Sequence, residues 1–199
     1  SIIAAPLLNF TTMNRTLYTL LLYLAVPVIA VRLWLRSRKA PAYAKRIAER
    51  FAINLPEFKQ GGIWLHAVSV GESIAAAPVV KALQQLYPDL PITVTCMTPT
   101  GSERIQSLFG DSVQHCYLPY DLPICSRRFF QRLKPRLAIV METELWPNHI
   151  NQCARLNVPV VLANGRLSAR SARGYGRFPK LVAPMLKQLS VLAVQTHTE

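Results

Sequence analysis

From Gly61 onward, short runs rich in apolar and β-branched residues alternate with stretches of helical pattern, and this alternation limits the possible folds most severely. The apolar runs fall at residues 63–68, 92–98, 113–118, 137–141, 158–163 and 190–194. Helical patterns occupy residues 73–86, 102–108, 124–133, 147–156 and 178–188 between them. Strands separated by helices cannot pair as hairpins and must cross over. The expectation is therefore an α/β domain, a Rossmann-like parallel sheet flanked by helices. Prolines at Tyr87-Pro88, Leu90-Pro91, Lys134-Pro135 and Val158-Pro159 punctuate the helix-to-strand junctions. No internal repeat or low-complexity tract interrupts the pattern.

In a parallel sheet, the segments that follow the strands gather along one edge, where ligands bind. Here they begin at Gly71-Glu72-Ser73, Thr98-Pro99-Thr100-Gly101, Pro119-Tyr120-Asp121, Glu142-Thr143-Glu144 and Asn164-Gly165-Arg166. Glu72 follows the run Ile63-Trp64-Leu65-His66-Ala67-Val68 at the start of a helix. It is a candidate general base, or a helix N-terminal decoration of the kind glutamate often supplies. Glu142 directly follows the strand LAIVM, so two carboxylates at strand ends could share a site and alter each other's proton affinity. Glu144 either joins them or starts a helix, and Trp146-Pro147 reads as a rigid wall. Thr98 and Thr100 could present hydroxyls and amides to an anion or simply cap the next helix. Arg166, Arg170 and Arg173, with Ser168 and Ser171, form a basic loop suited to phosphate, or a solvated basic face.

The amino-terminal end is different in kind. Residues 17–35 read LYTLLLYLAVPVIAVRLWL with one charge, Arg32, a run just long enough to cross a bilayer. A spanning helix and a helix lying in the interface both fit it. Arg36, Arg38, Lys39, Lys45, Arg46 and Arg50 crowd behind the run, which by the positive-inside bias puts the remainder on the cytoplasmic side. The chain divides on this reading into upstream sequence over residues 1–12, with Met13 resembling a natural start, then an anchor over 13–36. A basic juxtamembrane segment over 37–60 and the domain over 61–199 follow. The formal net charge of +13 (Lys+Arg 23, Asp+Glu 10) points to an anionic partner. Its position behind the anchor favours a membrane surface over nucleic acid, since no aromatic residues are interleaved as stacking platforms.

Several chemistries find no motif. Cys96, Cys116, Cys125 and Cys153 lack paired spacing and are expected to be buried free thiols. His66, His115, His149 and His197 form no ligand set, so no metal site is expected. G-x-G-x-x-G, the Walker loop and G-x-S-x-G are absent from the sequence, which counts against the usual dinucleotide, NTP and serine-hydrolase sites.

The segments HAVSVGES, ITVTCMTPTGSER, LPYDLP, METELWPN and NGRLSARS together resemble the bacterial 3-deoxy-D-manno-octulosonic acid (Kdo) transferases of lipopolysaccharide synthesis, from about Met13 to the last residue. The resemblance implies the N-terminal, acceptor-side half of a membrane-anchored, metal-independent, cofactor-free glycosyltransferase of the two-domain GT-B type. Such an enzyme transfers Kdo from CMP-Kdo to a lipid A precursor (lipid IVA) at the cytoplasmic face of the inner membrane, with inversion. It further implies Glu72 as general base and Glu142 as transition-state stabiliser; Ser69, Gly71, Thr98, Thr100, Arg166 and Arg170, read from the segments after the strands, are the candidate acceptor-binding residues. The donor-binding half would lie beyond this chain, which alone would be inactive. A transferase using another nucleotide sugar and a membrane-tethered lipid-binding module are the alternatives.

Overall fold

A computed structural model of the protein describes residues 13–165 and 169–194, with the side chains of 169–172 excepted. Residues 1–12 and the tail after 194 lie outside it. Six strands form one sheet: β1 (Ile63–His66), β2 (Ile92–Cys96), β3 (Gln114–Tyr117), β4 (Leu137–Met141), β5 (Val160–Gly165) and β6 (Val191–Val194). Every pairing is parallel and the order is β3-β2-β1-β4-β5-β6. β1 and β2 are buried at every residue, as sheets covered on both faces require. The approach at the start of β1 is so close that a Cβ on Gly62 would lie 1.8 Å from the Pro91 carbonyl oxygen.

Side-chain alternation along the strands divides the interior in two. Ile63 and Leu65 face one side, with Val94 and with Ala76, Val80, Ile105 and Phe109 of helices α3 (Val70–Leu86) and α4 (Pro99–Phe109). Trp64, Ala138, Val140 and Val160 face the other, against Phe129, Phe130, Ile150 and Cys153 of α5 (Pro123–Leu133) and α6 (Pro147–Arg155). Trp64 anchors that side: its ring meets Phe130 edge-on at 5.1 Å and its indole N–H donates to Thr95 Oγ1 at 2.9 Å. The crossover after β1 thus runs over one face and the crossover after β4 over the opposite face. Their carboxyl ends sit side by side at a topological switch point, the place where open α/β sheets form a crevice.

Helix α1 (Arg15–Lys39) carries the apolar run. Its docked stripe, with Tyr18, Leu22, Val26, Ile29 and Leu33 partly or fully buried, repeats at helical spacing. The Tyr18 hydroxyl donates to Asp121 at 3.0 Å, and Thr19 exchanges hydrogen bonds with Asn148. The other flank stays exposed: Leu20, Leu24, Val28, Val31 and Trp34 are 54–67 % accessible. Behind α1, a 3₁₀ turn (Pro41–Ala44) and the short α2 (Ile47–Arg50) fold the basic segment back onto the domain, where Glu49 and Arg50 are buried.

Three local expectations are corrected. α3 begins at Val70, not at 73, because Ser69 caps it, so Glu72 lies inside the first turn. α4 begins at Pro99, with Thr98 as its cap. The stretch read as a basic loop after β5 is helical over α7 (Ala169–Gly176), followed by α8 (Pro179–Leu186).

Candidate functional site

Ser69 and Glu72 form a capping box at the start of α3. The Ser69 hydroxyl accepts from the Glu72 amide at 3.4 Å, and the Glu72 carboxylate reaches back over the turn. Its Oε2 accepts from the Val68 amide at 2.8 Å and its Oε1 from the Ser69 hydroxyl at 3.0 Å. The side chain is therefore oriented by two bonds and is 7 % exposed. Burial pushes its carboxyl above the ordinary range, opposed by the Val68 and Ser69 bonds and reinforced by the negative charge of Glu142. Helix capping and a perturbed carboxylate coexist in one residue.

Glu142 occupies the first position after β4 with φ +56°, a left-handed conformation that costs a non-glycine residue about 1 kcal/mol. Its amide donates to the Ala163 carbonyl at 2.8 Å, holding the strained residue in the sheet's hydrogen-bond ladder. The next turn is pinned by Tyr175, whose hydroxyl donates to the Thr143 carbonyl at 2.7 Å. Glu144 is half-buried, and its carboxyl is raised by burial, then by Glu72, then by Glu142. Three of the ten acidic residues thus converge at one point of a chain with net charge +13. Backbone strain and carboxyls of raised proton affinity, here those of Glu72 and Glu144, cluster at functional sites more than elsewhere. The Trp146 indole N–H beside them is buried without a hydrogen-bond partner among the described residues. No group of three His, Cys, Asp or Glu among the described residues is arranged to hold a metal ion.

The remaining residues singled out in the sequence divide. Gly71 is exposed in the first turn of α3, and a Cβ there would meet open space. Thr98 is a cap: its Oγ1 accepts from the Gly101 amide at 3.0 Å. A Cβ at Gly101 would lie 2.9 Å from that oxygen, so a side chain there would have to displace the cap. Thr100 is exposed, its hydroxyl 3.4 Å from that of Thr98. Arg166 and Ser168 lie outside the described residues; Arg170 falls in α7, its side chain likewise outside them. All four cysteines are buried free thiols.

Of the buried charges that sequence reasoning missed, two stand out. Asp121, 3 % exposed, accepts from the Asn148 amide at 2.9 Å, the His149 amide at 2.7 Å and the Tyr18 hydroxyl. It caps α6 from a distance and ties α1 to the same point, while burial raises its carboxyl against the His149 ring and these bonds. The other is Arg50, 3 % exposed at the sheet's edge. Neither sits in a local pattern that distinguishes it from a surface charge, although the S-x-x-E spacing of Ser69 and Glu72 was a legible sign of the capping box.

Comparison with known proteins places the chain in a family. Residues 45–199 match the family described as 3-deoxy-D-manno-octulosonic-acid transferase (kdotransferase). The chain is 51 % identical over 187 residues to a 3-deoxy-D-manno-octulosonic acid transferase of Haemophilus influenzae, covering 93 % of this chain and 44 % of that protein. It is 36 % identical over 196 residues to the Bordetella pertussis transferase of the same name, covering 94 % and 45 %. With a probable mitochondrial counterpart of Arabidopsis thaliana the identity is 34 % over 180 residues, covering 89 % and 40 %. The chain spans a little under half the length of these relatives.

Proposed function

The chain belongs to the 3-deoxy-D-manno-octulosonic-acid transferase family, and from that premise we propose that it forms the acceptor-side half of a GT-B glycosyltransferase moving Kdo from CMP-Kdo to a lipid A precursor, lipid IVA. The observation that supports the reading best is the pairing of Glu72 and Glu142 at the carboxyl ends of adjacent strands β1 and β4, across the switch point.

A sugar hydroxyl is too weak an acid to attack unaided, so a positioned carboxylate takes its proton as the new bond forms. Glu72 is suited to this. Its two hydrogen bonds fix the carboxylate plane and leave a second lone pair on each oxygen. Burial and the charge of Glu142 raise its proton affinity, in the direction a general base requires. Attack from the side opposite CMP inverts the anomeric centre and needs no covalent sugar–enzyme intermediate. The anomeric carbon gains oxocarbenium character as CMP departs, and Glu142, held in its strained backbone, stabilises that positive charge. CMP is a good leaving group once its phosphate is bound, a task for a donor-binding half, so the transfer requires no metal or cofactor.

α1 lies beside this crevice with one flank on the domain and the other exposed and apolar. An apolar helix flank of that size belongs in lipid. The site then faces the inner membrane's cytoplasmic leaflet, where a phosphorylated lipid acceptor is reached without leaving the bilayer. Incubating the complete polypeptide with lipid IVA, CMP-Kdo and competing activated sugars tests the reading. Kdo alone should be transferred, with inverted configuration. Transfer of a different sugar in preference to Kdo, or acceptor binding without any transfer, would contradict it.

A further inference from the structure

A second charged site lies between α1 and the carboxyl end of β2. We propose that this cavity binds a phosphate group carried by a membrane lipid. The inference goes beyond sugar transfer and does not depend on it.

Arg50 is its foundation. The side chain is 3 % exposed, and its Nη1 donates to the Met97 carbonyl at 2.9 Å. Its Nε and Nη2 are buried with no acceptor among the described residues. A guanidinium keeps its charge in proteins, so burying it with two donors unused is costly unless an anion completes the set. The acid next to it in sequence does not serve: Glu49 accepts from Arg46 Nε at 2.6 Å and from the Tyr117 amide at 3.0 Å.

Arg50 is not alone. Arg32 and Arg36 of α1 line the same cavity of about 270 Å³, and none of the residues lining it is a carboxylate. Aromatic rings stabilise the cations without neutralising them: Arg50 lies 4.1 Å from the Tyr117 ring centroid, and Arg36 lies 5.5 Å from that of Tyr43. Stacking engages the flat faces of a guanidinium and leaves its N–H edge for an acceptor in its plane, the geometry that binds phosphate in bidentate fashion. Three cations converging without a counter-charge are a phosphate site in waiting.

The rest of the lining says what the phosphate is attached to. Ile29, Leu33 and Met97 supply an apolar wall, and Ile29 and Leu33 belong to the helix whose opposite flank is exposed and apolar. A ligand that is anionic at one end and apolar at the other satisfies both halves of the cavity. A phosphate monoester on a lipid has that character; the source is either an anionic phospholipid or a phosphorylated glycolipid acceptor.

The test is calorimetric titration of the detergent-solubilised complete polypeptide with short-chain dioctanoyl phosphatidic acid. Saturable one-to-one binding is expected, weakened tenfold or more by Arg50→Met and by Arg36→Gln. Arg38→Gln should change affinity less than twofold, because Arg38 stacks on Trp34 outside the cavity. Arg36 is exposed, so its variant keeps the test decisive if Arg50→Met does not fold. Displacement of the phosphatidic acid by lipid IVA would identify the acceptor as the source; binding unaffected by lipid IVA would identify bulk phospholipid. Equal binding of neutral dioctanoylglycerol, equal competition by inorganic phosphate, or equal weakening by Arg38→Gln would overturn the proposal.

Discussion

Glu142 holds a backbone conformation that glycine would adopt freely, so the cost of its backbone and the proposed part of its side chain can be measured apart. Glu142→Gly therefore separates the two contributions. Its unfolding free energy should stay level or rise by about 1 kcal/mol as the strain is relieved. Turnover of the complete enzyme should fall about 10²-fold, the scale of losing one transition-state electrostatic partner. Thermal melts and steady-state rates on the same preparation check both; loss of stability with normal turnover would give Glu142 a purely structural part. The placement of both glutamates after apolar runs was legible in the sequence, because a strand end is a local pattern. The φ of Glu142 and the two bonds on the Glu72 carboxylate were not, since they depend on β5 and on the geometry of one turn.

Among the elements, α1 and α6 share one anchor. Asp121 accepts from the first amides of α6 and from Tyr18 of α1, so a single carboxylate ties the apolar helix to the domain. Asp121→Ala should cost about 3 kcal/mol, because it leaves buried amides without an acceptor. Tyr18→Phe should cost about 1 kcal/mol, the loss of one hydrogen bond; chemical denaturation of the two variants checks the ratio. Docking along its length also predicts how α1 meets a bilayer. Spin labels at Leu20, Leu24, Val28 and Val31, all on the exposed flank, should report one shallow depth. A depth that rises to the bilayer centre and falls again along the helix would mean that α1 spans. The apolar run was plain in the sequence, but its docked stripe was not: the helix is apolar on both flanks, so periodicity alone could not say which side meets protein. The helix α7 escaped notice for a related reason, its eight residues ARSARGYG being polar and glycine-containing.

Across the whole molecule, six parallel strands followed from alternation along the chain, whereas the order β3-β2-β1-β4-β5-β6 did not. Order is a long-range choice of partners, and it is this order that sets Glu72 beside Glu142 when 70 residues separate them in the chain. The interior also sets a pH limit. His66 is fully buried, its Nδ1 2.9 Å from Thr95 Oγ1, and burial, with a smaller push from His149, lowers its pKa to about 3. The unfolded chain binds this proton near pH 6.5, so the stabilisation is complete above that pH and is lost as pH falls toward 3. Between pH 7 and pH 5 the loss should reach about 2 kcal/mol. His66→Leu should flatten that slope in denaturation curves; an unchanged slope would exclude His66 as its source.

The measurement that bears most directly on Glu72 as the base is turnover of Glu72→Gln in the complete polypeptide, read beside its unfolding midpoint. Glutamine serves in a capping box as glutamate does, but cannot take a proton from a sugar hydroxyl. The account predicts an unfolding midpoint close to the parent's and a turnover reduced by about 10²–10⁴-fold. Turnover within tenfold of the parent at an unchanged midpoint would contradict it and leave Glu72 as a helix cap alone.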